Sequence, residues 1–336
     1  MAYPEYGSTR PYRGITCHGI RRGALRWTMG LGFERCSGRC AFARTACSPV
    51  IVIYNPAAGQ RRVHRLWQVL DILSGNGIRV TLRETAYAGH ATALAAEAVA
   101  AGAGLVVAAG GDGTIAEVAA GLANTSVKLG VIPLGTANVL AQELGLPFDP
   151  REIAACLAFG RTRALWPGMA TGPNGSRLFV QMIGVGLDAQ VVHRVPRGLK
   201  RCLGRNAYVA QTLREMLRYS YRPIRVSVDG EPMQAGSVVV SKGRLYAGHY
   251  KLAPDARPGE PGFSVALFGG TGPASVLMYG AALVMNLLPK APGMRLLRAT
   301  KIEIFGGGPA QADGDPAGEA PLLVRDATGP LAVVTP

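Results

Sequence analysis

The sequence predicts a doubly wound α/β domain followed by a mostly antiparallel β-sandwich domain. Three observations carry this. Up to about residue 165, continuous β-branched runs alternate with segments of helical length, the rhythm of a parallel sheet with crossover helices. Beyond it the runs are short and divided by Gly, Pro and Asp turns. Two glycine-rich loops fall directly between a predicted strand and a predicted helix, where an open α/β sheet binds its ligand.

Val50–Tyr54 is apolar without interruption and predicts a strand buried on both faces. Asn55–Gly59 is its turn, and 61–73 places Val63, Leu66, Trp67, Leu70 and Leu73 at helical spacing. A strand over 78–84, an Ala-rich helix over 91–101 and a buried strand over Leu105–Ala109 follow. A helix over 115–122, a strand over Leu129–Ile132 and a helix over 139–144 complete this half. After it, 177–183, 224–229, 236–241, 263–268, 301–305 and 322–324 predict strands, with a helical insert near 205–219. Ala274–Leu288 is an apolar run of 15 residues with no charged side chain. That is short of the ~20 residues needed to cross a bilayer, so a buried or membrane-facing helix is expected. The expected organisation is a basic, cysteine-containing, poorly ordered extension over 1–48, the α/β domain over 49–165 and the sandwich over 166–336. The last strands are free to return to the first domain.

The chain carries 36 Lys and Arg against 21 Asp and Glu, a net charge of +15. The excess is concentrated: 1–48 holds eight Arg against Glu5 and Glu34, and 193–222 holds seven Arg and one Lys against Glu215. Neither segment shows zinc-finger spacing or a base-stacking aromatic strand, so nucleic acid is not the expected partner. A basic cluster beside apolar helices suits an anionic membrane surface. A zinc site from Cys36, Cys40, Cys47 and His18 lacks the paired CxxC spacing and is not favoured. No secretory signal pattern appears, so a cytoplasmic, peripherally membrane-associated protein is expected.

Gly110-Gly111-Asp112-Gly113-Thr114 follows a buried strand and precedes a helix. Glycines there admit a phosphate to the backbone, and the helix N-terminus offers free N–H groups. A carboxylate beside phosphates makes chemical sense with Mg²⁺ between them, so Asp112 is the candidate metal ligand. Pro133-Leu134-Gly135-Thr136-Ala137-Asn138 repeats the arrangement on the next strand. Thr85, after the second strand, is placed to join the same ligand, or to cap a turn. Asp313-Gly314 alone reads first as a hairpin turn.

Together, Asn55-Pro56-x-x-Gly59, Thr85 with Gly89-His90-Ala91, the 110–114 loop with Glu117, and Pro133-x-Gly135-Thr136-x-Asn138 resemble the catalytic domain of the diacylglycerol kinase family. The resemblance continues through Gly184-x-Gly186-x-Asp188-Ala189, the basic stretch 194–205 and Asp313-Gly314-Asp315, and so covers about residues 49–336. It implies an ATP-dependent kinase that phosphorylates a lipid hydroxyl, of diacylglycerol, sphingoid or ceramide type. Carried over, Asn55, Thr85, Gly110 to Thr114, Gly135, Thr136 and Asn138 hold ATP, Asp112 acts with Mg²⁺, and Asp313 is the general base. Three positions depart from the pattern: Val139 where many diacylglycerol kinases have Asp, Asp315 in place of Glu, and Glu260-Pro261-Gly262 where bacterial relatives often have an Asp-Gly that helps hold a structural Mg²⁺. An NAD kinase-like enzyme is the alternative that shares the 110–114 loop, and a non-catalytic lipid- or nucleotide-binding regulator is the alternative from another class. Retention of both Asp112 and Asp313 argues against the regulator. A homo-oligomeric state is left open.

Overall fold

The computed structural model describes residues 49–58, 62–194, 214–215, 218–306 and 308–336. The extension 1–48 with its cysteines, Gly59, the basic residues 195–205 and most of the expected insert at 205–219 lie outside the described residues.

The first sheet is built from β1 (Val50–Tyr54), β2 (Val80–Glu84), β3 (Leu105–Gly110), β4 (Lys128–Pro133), β5 (Arg161–Leu165) and the C-terminal β20 (Leu331–Thr335). Its order is β2-β1-β3-β4-β20-β5. All neighbours are parallel except β20 and β5. The central strands are buried on both faces because helices cover both: α2 (His90–Ala100) and α3 (Asp112–Leu122) on one, α1 (Val63–Gly75) and α5 (Pro150–Phe159) on the other. Ile53, Val106 and Ala108 face the first helix pair, while Val52, Val107 and Ala109 face the second. The carboxyl ends of β1 to β4 therefore share one edge of the sheet, and all the phosphate-loop candidates sit there.

The chain then builds two six-stranded antiparallel sheets. One is ordered β10 (Glu231–Ala235), β9 (Ile224–Val228), β16 (Lys301–Phe305), β19 (Leu322–Asp326), β6 (Gly168–Gly172), β7 (Gly175–Phe179). The other is ordered β15 (Met294–Ala299), β14 (Phe263–Phe268), β11 (Ser237–Ser241), β8 (Met182–Val185), β17 (Pro309–Ala312), β18 (Asp315–Glu319). Their inner faces share one core with Phe179, Ile183, Val240, Phe263 and Ile302.

The run 177–183, read above as one strand, is two. β7 ends at Phe179 and β8 begins at Met182 in the opposite sheet, with Val180 and Gln181 turning the buried corner between them. From Leu178 to Ile183 only Gln181 interrupts the apolar residues, and the corner is as buried as the strands, so periodicity alone does not reveal the switch. The helix read over 115–122 starts at Asp112, since extended Gly111 acts as its N-cap.

Candidate active site

The two glycine loops touch backbone to backbone. Leu134 and Gly135 donate their N–H groups to Gly110 O at 2.9 and 3.1 Å. A Cβ added to Gly135 would stand 2.5 Å from Gly111 Cα, so only glycine permits this crossing. Asn55 joins from β1: its Nδ2 donates to Thr114 Oγ1 at 3.0 Å, and its Oδ1 accepts from Ala57 N at 2.9 Å. Asn138, in left-handed backbone at φ 48°, is buried and donates from Nδ2 to Gly135 O at 2.8 Å. Its Oδ1 is buried without a protein donor, an open acceptor against Gly135. Thr136 is exposed on the loop tip, and Thr85 sits half-buried after β2, with its N–H on Tyr54 O.

Glu117 stands one step behind. Its carboxylate accepts from Gly89 N at 2.8 Å and Ala91 N at 3.2 Å, tying α3 to the start of α2. It positions the Gly89-His90-Ala91 loop.

From the sandwich, the β17–β18 hairpin reaches the same loops. Asp313 and Gly314 both have positive φ, 51° and 81°, the geometry of a type I′ turn. The hairpin and site readings of Asp313 are thus compatible. Its carboxylate accepts three backbone N–H groups from the β7–β8 corner: Val180 on Oδ2 at 2.8 Å, and Gln181 and Met182 on Oδ1, each at 2.9 Å. Oδ1 is saturated, and Oδ2 keeps one lone pair. Two residues on, Asp315 lies over the 110–114 loop so closely that a Cβ on Gly113 would overlap its Oδ2. Asp188, in the first turn of α6 (Leu187–Arg194), accepts from Gln311 Nε2 at 3.2 Å, and Gln311 Oε1 accepts from Gly314 N at 3.0 Å. Asp188 therefore braces the hairpin from behind, and Gly184 leaves room for its carboxylate. Gly186, at φ 127°, turns the chain from β8 into α6.

Asp112, Asp313 and Asp315 thus gather where the glycine loops meet the β17–β18 hairpin, with Asp188 behind it. Burial pushes Asp313 up to about 7, Asp112 adding to the rise and the three N–H groups opposing it. Burial also raises Asp112, opposed by the N–H groups of Leu140 and Val139, with Asp315 adding to the rise. Burial holds Asp188 up at about 6.

Asp112 also has a structural contact. Its Oδ1 accepts from Leu140 N at 3.1 Å, latching the first loop onto α4 (Val139–Glu143). Among the described residues no three His, Cys, Asp or Glu side chains form a self-contained metal cage. The donor set still fits Mg²⁺, which takes one or two carboxylates and completes its shell with phosphate oxygens and water. Asp112 and Asp315 are hard oxygen donors, and the charge of Asp315 disfavours that of Asp112.

Sequence reasoning missed two guanidiniums at the start of α1. Arg62 donates from Nη1 to Gly135 O, and Arg65 donates from Nη1 to Pro133 O at 2.7 Å while lying over the Phe148 ring. Their spacing of three after an Asn-Pro turn was the available signal. It also missed Glu143, whose buried carboxylate accepts from Arg244 N, Leu245 N and Arg244 Nε at 2.8, 2.9 and 2.7 Å. This clamps α4 to the sandwich.

Comparison with known proteins gives the family and the fold. The model of the diacylglycerol kinase catalytic domain matches residues 49–170, and that of the YegS C-terminal NAD kinase beta sandwich-like domain matches 181–335. A diacylglycerol kinase of Bacillus subtilis (strain 168) is 37% identical over 213 residues, 61% of this chain and 68% of its own. One from Staphylococcus carnosus (strain TM300) is 26% identical over 292 residues, 85% of this chain and 94% of its own. A crystal structure of a diacylglycerol kinase from Bacillus anthracis str. Sterne superposes with a TM-score of 0.67 at 22% identity, covering 86% of this chain and 97% of that one.

Proposed function

The chain belongs to the diacylglycerol kinase family of lipid kinases, and from that premise we propose that it transfers the γ-phosphoryl group of ATP to the free hydroxyl of diacylglycerol at a membrane surface. The observation that carries the reading is the meeting of the two glycine loops with the Asp313–Asp315 hairpin.

In this reading the backbone N–H groups of 110–114 and 135–138 and the N-terminus of α3 cradle the ATP phosphates. Arg62 adds positive charge at the loop crossing. Bound Mg²⁺, held by Asp112 with Asp315 beside it, would neutralise phosphate charge. Phosphoryl transfer asks of the protein mainly alignment and charge compensation. The remaining lone pair on Asp313 Oδ2 accepts the lipid hydroxyl proton as oxygen attacks the γ-phosphorus, and ADP leaves in line. A carboxyl at about 7 is near the driving force that proton abstraction at neutral pH requires. Val139 is apolar where many relatives have Asp, which leaves the donor cradle intact because Asp112 is bound through the Val139 and Leu140 backbone.

The test is ATP turnover with diacylglycerol, ceramide, sphingosine and NAD offered separately with Mg²⁺. Phosphorylation of diacylglycerol supports the proposal. Phosphorylation of NAD alone would replace it with the NAD kinase-like reading, and ATP binding without turnover on any acceptor would favour the regulator.

A further inference from the structure

The run 274–288 folds as a helix, here α7 (Pro273–Val284), followed by a 3₁₀ turn (Leu288–Lys290). Between Pro273 and Val284 every side chain is uncharged, yet only Ala282 is buried. Leu277 is 54% exposed, Val284 63%, Met285 61% and Leu287 50%. A soluble helix of this composition ordinarily turns a wide apolar stripe into a core. Here the stripe is turned outward, and an exposed apolar cluster of that kind marks an interaction surface.

Its place is informative. Ala282 and Leu288 share a hydrophobic cluster with Val139, which follows the second phosphate loop, and Met182, whose N–H holds Asp313. The inward side of the helix thus packs against the elements that carry the proposed reacting centre, and its exposed apolar face is turned away from them. Its electrostatic surroundings have one sign: no Asp or Glu occurs between Glu260 and Glu303, while Lys290 and Arg295 lie exposed on this stretch. Exposed Lys251 joins them, its backbone N–H donating to Asn286 Oδ1 at 2.9 Å. An apolar patch with a cationic rim is complementary to an anionic bilayer, whose phosphates meet the rim while the acyl region takes the aliphatic side chains. Among the described residues no helix is long and apolar enough to cross a membrane, so the element lies in the interface.

We infer that α7 and the turn after it are the membrane-inserting surface, with Leu277, Val284, Met285 and Leu287 entering an anionic bilayer and carrying the cleft down to its lipid substrate. The inference rests on the lipid kinase reading above.

The experiment compares wild type with L277Q/V284Q/L287Q on vesicles containing phosphatidylglycerol, and follows the indole emission that Leu277→Trp adds to that of wild type. None of these residues belongs to the catalytic machinery. The triple variant should keep the wild-type melting temperature and turnover on a dispersed short-chain diacylglycerol, yet lose vesicle affinity by on the order of 100-fold. The added indole emission should shift to the blue only when anionic vesicles are present. Part of the wild-type binding should survive high salt, because insertion, unlike the cationic rim, is not screened. Unchanged vesicle affinity in the triple variant overturns the inference. So does an added emission that is blue before vesicles are introduced, which would mean that α7 is covered by another segment or a second copy. Loss of turnover on the dispersed substrate also overturns it, by making α7 part of the substrate site. If wild type itself fails on dispersed substrate, the kinase reading falls, while vesicle affinity and the indole emission still decide the α7 surface.

Discussion

Asp313 serves at once as a turn residue, a clamp and the proposed base, and each role predicts something different. Asp313→Asn puts an amide where both oxygens now accept N–H groups, so its NH₂ must confront a backbone donor of Val180 to Met182. The expected cost is about 1–3 kcal/mol in denaturant unfolding, together with a kcat loss of about 10²–10⁴-fold. Asp315→Asn changes the carboxylate that lies over the 110–114 loop. It should raise the Mg²⁺ requirement, and a larger kcat loss here than at Asp313 would move the base to Asp315. The raised carboxyl also sets a pH dependence. Protonated below about 7, Asp313 cannot take a proton, so kcat should rise through that pH and the limb should vanish in Asp313→Asn. Folded-state values above the ordinary 3.8 mean that the native state binds more protons than the unfolded one. Stability should therefore fall as pH climbs from about 4 through 6 for Asp188 and 7 for Asp313. A pH series of urea melts checks the sign. The Asp-Gly pair announced the hairpin from sequence alone. The three amides that receive Asp313 lie 131 to 133 positions away, and local spacing carries no trace of them.

At the scale of the element, what positions the site is how loops and turns are pinned. An internal cation secures the Glu260-Pro261-Gly262 turn. Lys242 Nζ is buried, donating to Glu260 O at 3.1 Å, Gly262 O at 2.9 Å and Asp326 Oδ1 at 2.7 Å, and it lies 4.7 Å from the centre of the Phe263 ring. Burial lowers its pKa, and Asp326 opposes that. Lys242→Met would leave two carbonyls and Asp326 without their donor, at a cost of about 3–5 kcal/mol, the range for breaking a buried pair. A chemical melt measures it, and a loss under about 1 kcal/mol would show that the turn holds without the ammonium. The phosphate-loop elements were legible in the sequence because strand, glycine turn and helix follow one another locally, as at 105–122. The β7–β8 switch and the Lys242 cage were not. The first hides inside one run without a Gly, Pro or Asp turn residue, and the second joins three distant segments.

At the scale of the molecule, the chain closes on itself. β20 leaves the sandwich and inserts between β4 and β5, bringing Leu331, Val333 and Val334 into buried positions of the α/β sheet. Leu331-Ala332-Val333-Val334-Thr335 reads as a strand from sequence, but whether it belongs to the nearer sandwich or the distant first sheet depends on which edge lacks a partner. The lone parallel pairing Val333 to Leu129 beside the five-residue antiparallel ladder with β5 answers that. β4 ends at Pro133, where the loop that crosses Gly111 begins, so the last strand supports the proposed ATP cradle from the side. Burial of three aliphatic side chains at about 1.5–3 kcal/mol each approaches the ~5–15 kcal/mol that holds a typical domain folded. Deleting 331–336 should therefore abolish cooperative thermal unfolding, or leave the chain insoluble, with no ATP binding. Val333→Asp places a charge between β4 and β5 without shortening the chain, and should reproduce most of that loss. A soluble truncation that melts like wild type and binds ATP would show that the α/β sheet is complete at β4, and that β20 only decorates it.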